Sequence, residues 1–122
     1  MYKERKFDLE DRLIDYVILI SKIVEQLPNS KLGVQISNQL IKSGTSPALS
    51  YGEAQSAESR NDFIHKVKII LKELRESYIC LKIIRRKPLI DKGDLIGNAE
   101  DETNQLISIF VKSIQTVKRN LK

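Results

Sequence analysis

The fold class that this 122-residue sequence predicts is all-α, an antiparallel up-down-up-down bundle of four helices formed by residues 1–122 as a single domain. Two observations predict it. Apolar residues recur at alternating steps of three and four in four successive segments, and Pro or small polar residues interrupt the pattern between them. Nowhere does strict apolar-polar alternation or an Asn-Gly hairpin signal suggest a strand.

The first helix carries Leu9, Leu13, Val17, Ile20, Val24 and Leu27 on one side and stops at Pro28-Asn29-Ser30. Ser30 is a suitable N-cap for a second helix, whose apolar side is read as Val34, Ile36, Leu40 and Ile41. Its middle, Ser43-Gly44-Thr45-Ser46-Pro47-Ala48, is built of small residues. Pro47 has no N–H for the Ser43 carbonyl, so a kink is expected there. A continuous kinked helix is the preferred reading, because Leu49, Ala54 and Ala57 resume the spacing and small residues admit a close neighbour; a loop is the alternative.

Ser59-Arg60-Asn61-Asp62 has the form of a capping box. The third helix therefore starts near Arg60 and runs to about Lys87, with Phe63, Val67, Ile70, Leu74, Leu81 and Ile84 on its stripe and Pro88 ending it. Asp91 can cap a fourth helix with the stripe Ala99, Thr103, Leu106, Phe110, Ile114, Val117 and Leu121; Gly93 and Gly97 weaken its first turns.

Composition narrows the class. With 41% apolar and 30% charged residues the chain reads as an ordinary globular protein, and with no Trp its core must be mostly Leu, Ile and Val. A single Cys allows no internal disulfide, the N-terminal MYKERKFDLEDR lacks the apolar run of a signal peptide, and a cytoplasmic location is expected. The run Tyr16 to Ile20 is far shorter than the roughly 20 residues of a membrane span.

These segments carry a resemblance to a known family. A small-residue helix leading into Glu53-Ala54-Gln55, then Ser59-Arg60-Asn61-Asp62-Phe63, then Lys66 through Lys72-Glu73 to Glu76, resembles the 23S rRNA intervening-sequence proteins, which share E-A-x, S-x-x-D-F and K-x-x-x-x-x-K-E-x-x-E segments. Gln39 to Ser46 also resembles that family's Q-L-x-R-A-x-x-S region, with Lys42 where Arg is usual and Gly44 in a normally bulkier place. The resemblance covers nearly the whole chain. It implies a cytoplasmic bacterial four-helix bundle, a homo-oligomer and by analogy a pentamer, without cofactor. A related branch assists the reverse transcriptases of diversity-generating retroelements, which implies a nucleic-acid-processing protein as a possible partner.

Charge points towards nucleic acid independently. The net charge is +5, and between Arg60 and Lys87 nine basic residues face three acidic ones. At about 100° per residue, Lys68, Lys72, Arg75, Lys82 and Arg86 share one shoulder of the third helix, with Arg85 and Lys87 nearby. Such a row suits an RNA or DNA phosphate backbone; the competing reading is a set of solvated side chains whose stems cover the core edge. RNP-like aromatics, zinc-ligand spacing and a helix-turn-helix signature are all missing from the sequence, so phosphate and shape recognition are expected rather than base reading.

The remaining polar residues suggest no reaction. Glu73 and Glu76 lie three apart with Glu53 expected to face them, and a small buried polar network is the preferred role. His65 reads as a surface or boundary residue, and Cys80 as a small apolar filler. Without a phosphate loop, metal spacing or triad the expectation is a non-enzymatic protein. From Tyr78 to Ile84 every residue except Lys82 is apolar or aromatic, more than one stripe needs. With Ile14, Ile18, Ile107 and Val111 beside their own stripes, Ile79 and Ile83 are expected to meet another subunit.

Overall fold

Helices one to three each begin at a side chain that caps the first turn. The computed structural model describes residues 8–120, with helices α1 (Leu9–Val24), α2 (Lys31–Gln55), α3 (Arg60–Arg86) and α4 (Gly93–Asn120). Leu121, placed on the α4 stripe, and residues 1–7 of the segment read as lacking a signal lie outside the described residues. Asp8 caps α1 by accepting from the Asp11 amide at 3.2 Å, and Ser30 caps α2 by accepting from the Gly33 amide at 3.0 Å. Ser59 accepts from the Asp62 amide at 3.0 Å, while the Asp62 carboxylate reaches back to accept from the Glu58 amide at 3.2 Å. These are the donors that a helix start otherwise leaves bare. Ser59→Ala should therefore cost about 1 kcal/mol, read as a lower urea midpoint at unchanged slope.

The α4 start differs by a little from the sequence reading. The helix begins at Gly93 and the Ile96 amide bonds the Lys92 carbonyl, so the boundary falls one residue beyond Asp91. Asp94 supplies the acidic side chain of the first turn.

Helix α2 runs unbroken through the buried Pro47, so the expected continuity holds and the loop alternative does not, while the kink expected at Pro47 is not shown. Small residues there do serve close approach. A Cβ built on Gly44 would stand 2.8 Å from Ile20 Cγ2 of α1, inside any real contact distance. On the other side of α2, Ser43 and Ser77 of α3 share a buried hydroxyl–hydroxyl bond of 2.7 Å.

The helices pack in chain order, α1 on α2, α2 on α3 and α3 on α4, and α4 closes back on α1 through the thinnest of the four seams. Their common core takes Leu13, Ile20 and Ile23 from α1, Ile36 and Leu40 from α2, Val67, Ile70, Leu74, Leu81 and Ile84 from α3, and Leu106 and Phe110 from α4. Several predicted stripe residues sit elsewhere. Val17 and Phe63 are half-buried, while Val34, Ile41 and Leu49 are exposed, Leu49 by 72%. The stripe of α2 instead follows Gly33, Ile36, Leu40, Ser43, Gly44 and Pro47, because its small residues occupy the tightest crossings.

One hydroxyl from each helix meets inside the bundle. Tyr16 of α1 lies 2.7 Å from Thr103 of α4, Ser43 of α2 bonds Ser77 of α3, and Ser77 also acts on the Tyr16 hydroxyl. Thr103 donates its one proton to the Ala99 carbonyl at 2.6 Å, so it accepts from Tyr16. The Tyr16 pKa is raised, chiefly by burial of its hydroxyl.

Candidate nucleic-acid and assembly surfaces

The basic residues of α3 do not all have the same surroundings. Lys68, Lys72, Arg75, Lys82, Arg86 and Lys87 are exposed, and from Lys68 to Arg86 the helix rises about 27 Å. Lys72 pairs with Glu76 one turn on at 3.6 Å, a solvent-exposed contact of small energetic consequence. Lys82 stands 5.2 Å from the centre of the Tyr78 ring, close enough for a cation–π attraction that steadies its stem.

Arg85, with its side chain 49% exposed, differs from the rest of the basic row in having a partner on α4. It turns towards α4 and grips Glu100 with two nitrogens, Nε at 3.1 Å and Nη2 at 2.8 Å from Oε1, which raises its pKa chiefly through those hydrogen bonds. Its charge is thus locally compensated. The matching clasp across the α1/α4 seam joins Arg12 to Glu102 at 2.7 and 3.0 Å, with Gln105 accepting from the same guanidinium at 2.9 Å. The hydrogen bonds to Glu102 raise the Arg12 pKa although partial burial opposes them. Sequence reading missed Arg12, Glu100 and Glu102 because interhelical pairing depends on rotations that spacing within one helix does not define.

The three glutamates do not form the expected network. Glu53 is exposed, Glu76 is exposed and paired with Lys72, and only Glu73 is buried, with Oε1 lacking a hydrogen-bond partner. The helical phase separates them: Glu73 follows the α2-facing side of α3, whereas Glu76 has turned outward. Cys80 is buried, and burial, aided by Glu76, pushes its thiol pKa up, in keeping with a packing role; His65 is exposed. Among the described residues no group of three His, Cys, Asp or Glu side chains could hold a metal ion, and no helix is long and apolar enough to cross a membrane.

Of the six apolar residues assigned to an interface, Ile14, Ile18 and Ile79 are 45%, 52% and 54% exposed. Ile83, Ile107 and Val111 are half-buried and pack against the core, so less of their surface is available. Leu32 and Ile69 add exposed apolar surface that the sequence did not single out. Beside Ile79 an open groove of about 370 Å³ runs between α2 and α3, lined by Gln35, Ile36 and Gln39 on one side and Glu76, Ile79, Cys80 and Ile83 on the other. A smaller cleft of about 220 Å³ joins Ile79 and Ile83 to Lys82 and Arg86.

No family model and no curated protein matches the sequence. Among solved structures the chain is similar to a protein of unknown function from the S23 ribosomal protein family of Bacteroides thetaiotaomicron, with a TM-score of 0.79 and 26% identity. The match covers 87% of this chain and 97% of that one. In fold and in extent, the chain matches a four-helix protein of the S23 ribosomal protein family, the 23S rRNA intervening-sequence proteins.

Proposed function

We propose that this chain is a non-enzymatic, self-assembling four-helix bundle that binds RNA or other nucleic acid through the exposed basic face of α3. The observation that carries this reading is that Lys68, Lys72, Arg75, Lys82 and Arg86 all remain exposed on one helix while Arg85 alone is turned into a bidentate interhelical pair. A rigid helix holding five cations along about 27 Å follows a phosphate backbone without ordering a loop first. Phosphates, rather than base edges, are what it would read.

Fluorescence anisotropy with structured RNA and duplex DNA at about 50 and 200 mM salt tests this. Five phosphate contacts imply an affinity about 500-fold weaker at the higher salt, and the Lys68/Lys72/Arg75→Glu variant should bind at neither. Binding that survives in the variant, or no binding by the parent at low salt, would overturn the nucleic-acid reading. The second reading, a scaffold for protein partners such as a nucleic-acid-processing enzyme, is favoured by the exposed Ile14, Ile18 and Ile79, and would then stand alone.

A further inference from the structure

Helices α1 and α3 carry opposite charge around similarly spaced isoleucines. Between Asp8 and Glu25 there are five carboxylates and two basic residues, whereas Arg60 to Lys87 has nine basic residues and three acidic ones. On α1, Glu10, Ile14 and Ile18 succeed one another at four-residue steps, all exposed, and exposed Asp15 lies next to them. On α3, Arg75, Ile79, Ile83 and Lys87 follow at the same steps, all exposed except the half-buried Ile83, with Lys82 and Arg86 along the adjacent row. Four-residue steps form the ridges by which helices interlock, and each isoleucine pair spans about 6 Å.

The α3 pair does not stand on a convex ridge alone. Ile79 and Ile83 form one wall of the α2/α3 groove, with Ile36 and the amides of Gln35 and Gln39 opposite, and the cleft beside them brings Lys82 and Arg86 to the same place. The groove's own charged residue is Glu76, already paired with Lys72, and the cations stand in the adjoining cleft, so an acidic helix with two protruding isoleucines fits with its carboxylates on the Lys82 and Arg86 side. The chain itself presents such a helix on a different face.

We propose that α1 of one copy of this chain seats its Ile14–Ile18 ridge in the α2/α3 groove of a second copy, with Glu10 and Asp15 facing Lys82 and Arg86. This rests on the self-assembly part of the reading above and specifies its mode. The two mating surfaces are different parts of the molecule, so the contact is head-to-tail: a single pairing leaves one groove and one α1 ridge unfilled, and assembly continues until it closes on itself. Lys68 lies about 16 Å along α3 from Ile79, so within the assembly Lys68, Lys72 and Arg75 stay open to phosphate while Lys82 and Arg86 are engaged by the neighbour, and the salt effect of an assembled parent falls from that of five contacts towards the roughly 40-fold of three.

Charge reversal with light scattering tests the pairing. The full chain, Glu10→Lys/Asp15→Lys, Lys82→Glu/Arg86→Glu, an equimolar mixture of the two variants and the quadruple variant are each weighed at tens of micromolar, with circular dichroism confirming helicity. The parent should exceed the 14.0 kDa of one chain, each double variant should fall to it, and both the mixture and the quadruple variant should regain higher mass. A parent of 14.0 kDa overturns self-assembly altogether. An assembled parent whose reversals also assemble, or whose mixture fails to recover, overturns the α1-to-groove pairing alone. Loss in the α1 variant without loss in the α3 variant overturns it too, and assigns the ridge to a symmetric α1–α1 contact.

Discussion

Tyr16→Ala is expected to lower the unfolding free energy by about 3–5 kcal/mol, a large part of the roughly 5–15 kcal/mol that holds a domain of this kind together. The ring is 1% exposed and sits among Leu13, Ile20 and the α4 residues of the core, so truncation opens a cavity that rigid helices fill poorly. Tyr16→Phe removes only the hydroxyl. Thr103 keeps its bond to the Ala99 carbonyl, so no threonine donor is orphaned, and the expected cost is about 1 kcal/mol. Urea titration of the two variants separates ring packing from the hydroxyl layer; equal losses would show that the layer, not the ring, dominates.

The same hydroxyl gives the protein an alkaline limit. Burial raises the Tyr16 pKa in the folded state above the ordinary value of 10.0. Above about pH 10 the unfolded chain therefore releases a proton that the native one retains, and the stability contributed by the neutral hydroxyl, complete below that pH, falls as pH rises towards and through the folded pKa. Tyr16→Phe should flatten that fall. Cys80, also raised by burial, contributes a loss of the same sign beginning near its ordinary value of 9.0 and should persist in the variant.

Gly44→Leu is expected to cost about 3 kcal/mol or more through overpacking at the α1/α2 crossing. Its first side-chain carbon already meets Ile20 Cγ2 at 2.8 Å, and Ile20 is completely buried and has nowhere to turn. Gly44→Ala gives a more even balance. The same contact opposes it, but alanine recovers about 1 kcal/mol of helix propensity, so a net loss within about 2 kcal/mol is expected. Ile20→Ala in the Gly44→Leu background makes room for the new side chain. Thermal or urea unfolding of the four-member cycle should show the double variant losing less than the sum of the single losses, with a coupling of about 1–2 kcal/mol. Strict additivity would mean that the two residues do not share the crossing.

The parts of the fold legible in the sequence were those encoded within one or two turns. Ser30 and Ser59 announce helix starts because a cap bonds an amide three residues away, and the Ser43 to Ala48 run marks a close crossing because its residues are small. Which helix approaches was not legible. Gly44 meets α1 while its neighbour Ser43 meets α3, a difference of one residue's rotation. Val34 and Ile41 show the same limit: their hydrophobicity marks α2 as amphipathic but does not locate the edge of its buried face. The exposed basic row was legible from its spacing in α3, yet Arg85 left it because Glu100, fifteen residues on, happens to stand across the α3/α4 contact. Glu73 is buried, as the expected polar network required, but Glu53 and Glu76, its expected partners, face solvent, because three residues of spacing do not fix which of two glutamates turns inward.

The thin seam between α1 and α4 has a consequence in time. Its bonds, Arg12 to Glu102 and Tyr16 to Thr103, join residues 90 and 87 positions apart, whereas Ser43 and Ser77 are 34 apart across neighbouring helices. Closing the longer loop costs more chain entropy, so the α2–α3 hairpin is favoured to form early and the ring of helices to shut last. Opening should follow the reverse route, with α1 and α4 swinging apart like book covers about the α2–α3 spine, and their amides exchanging with solvent before those of the spine.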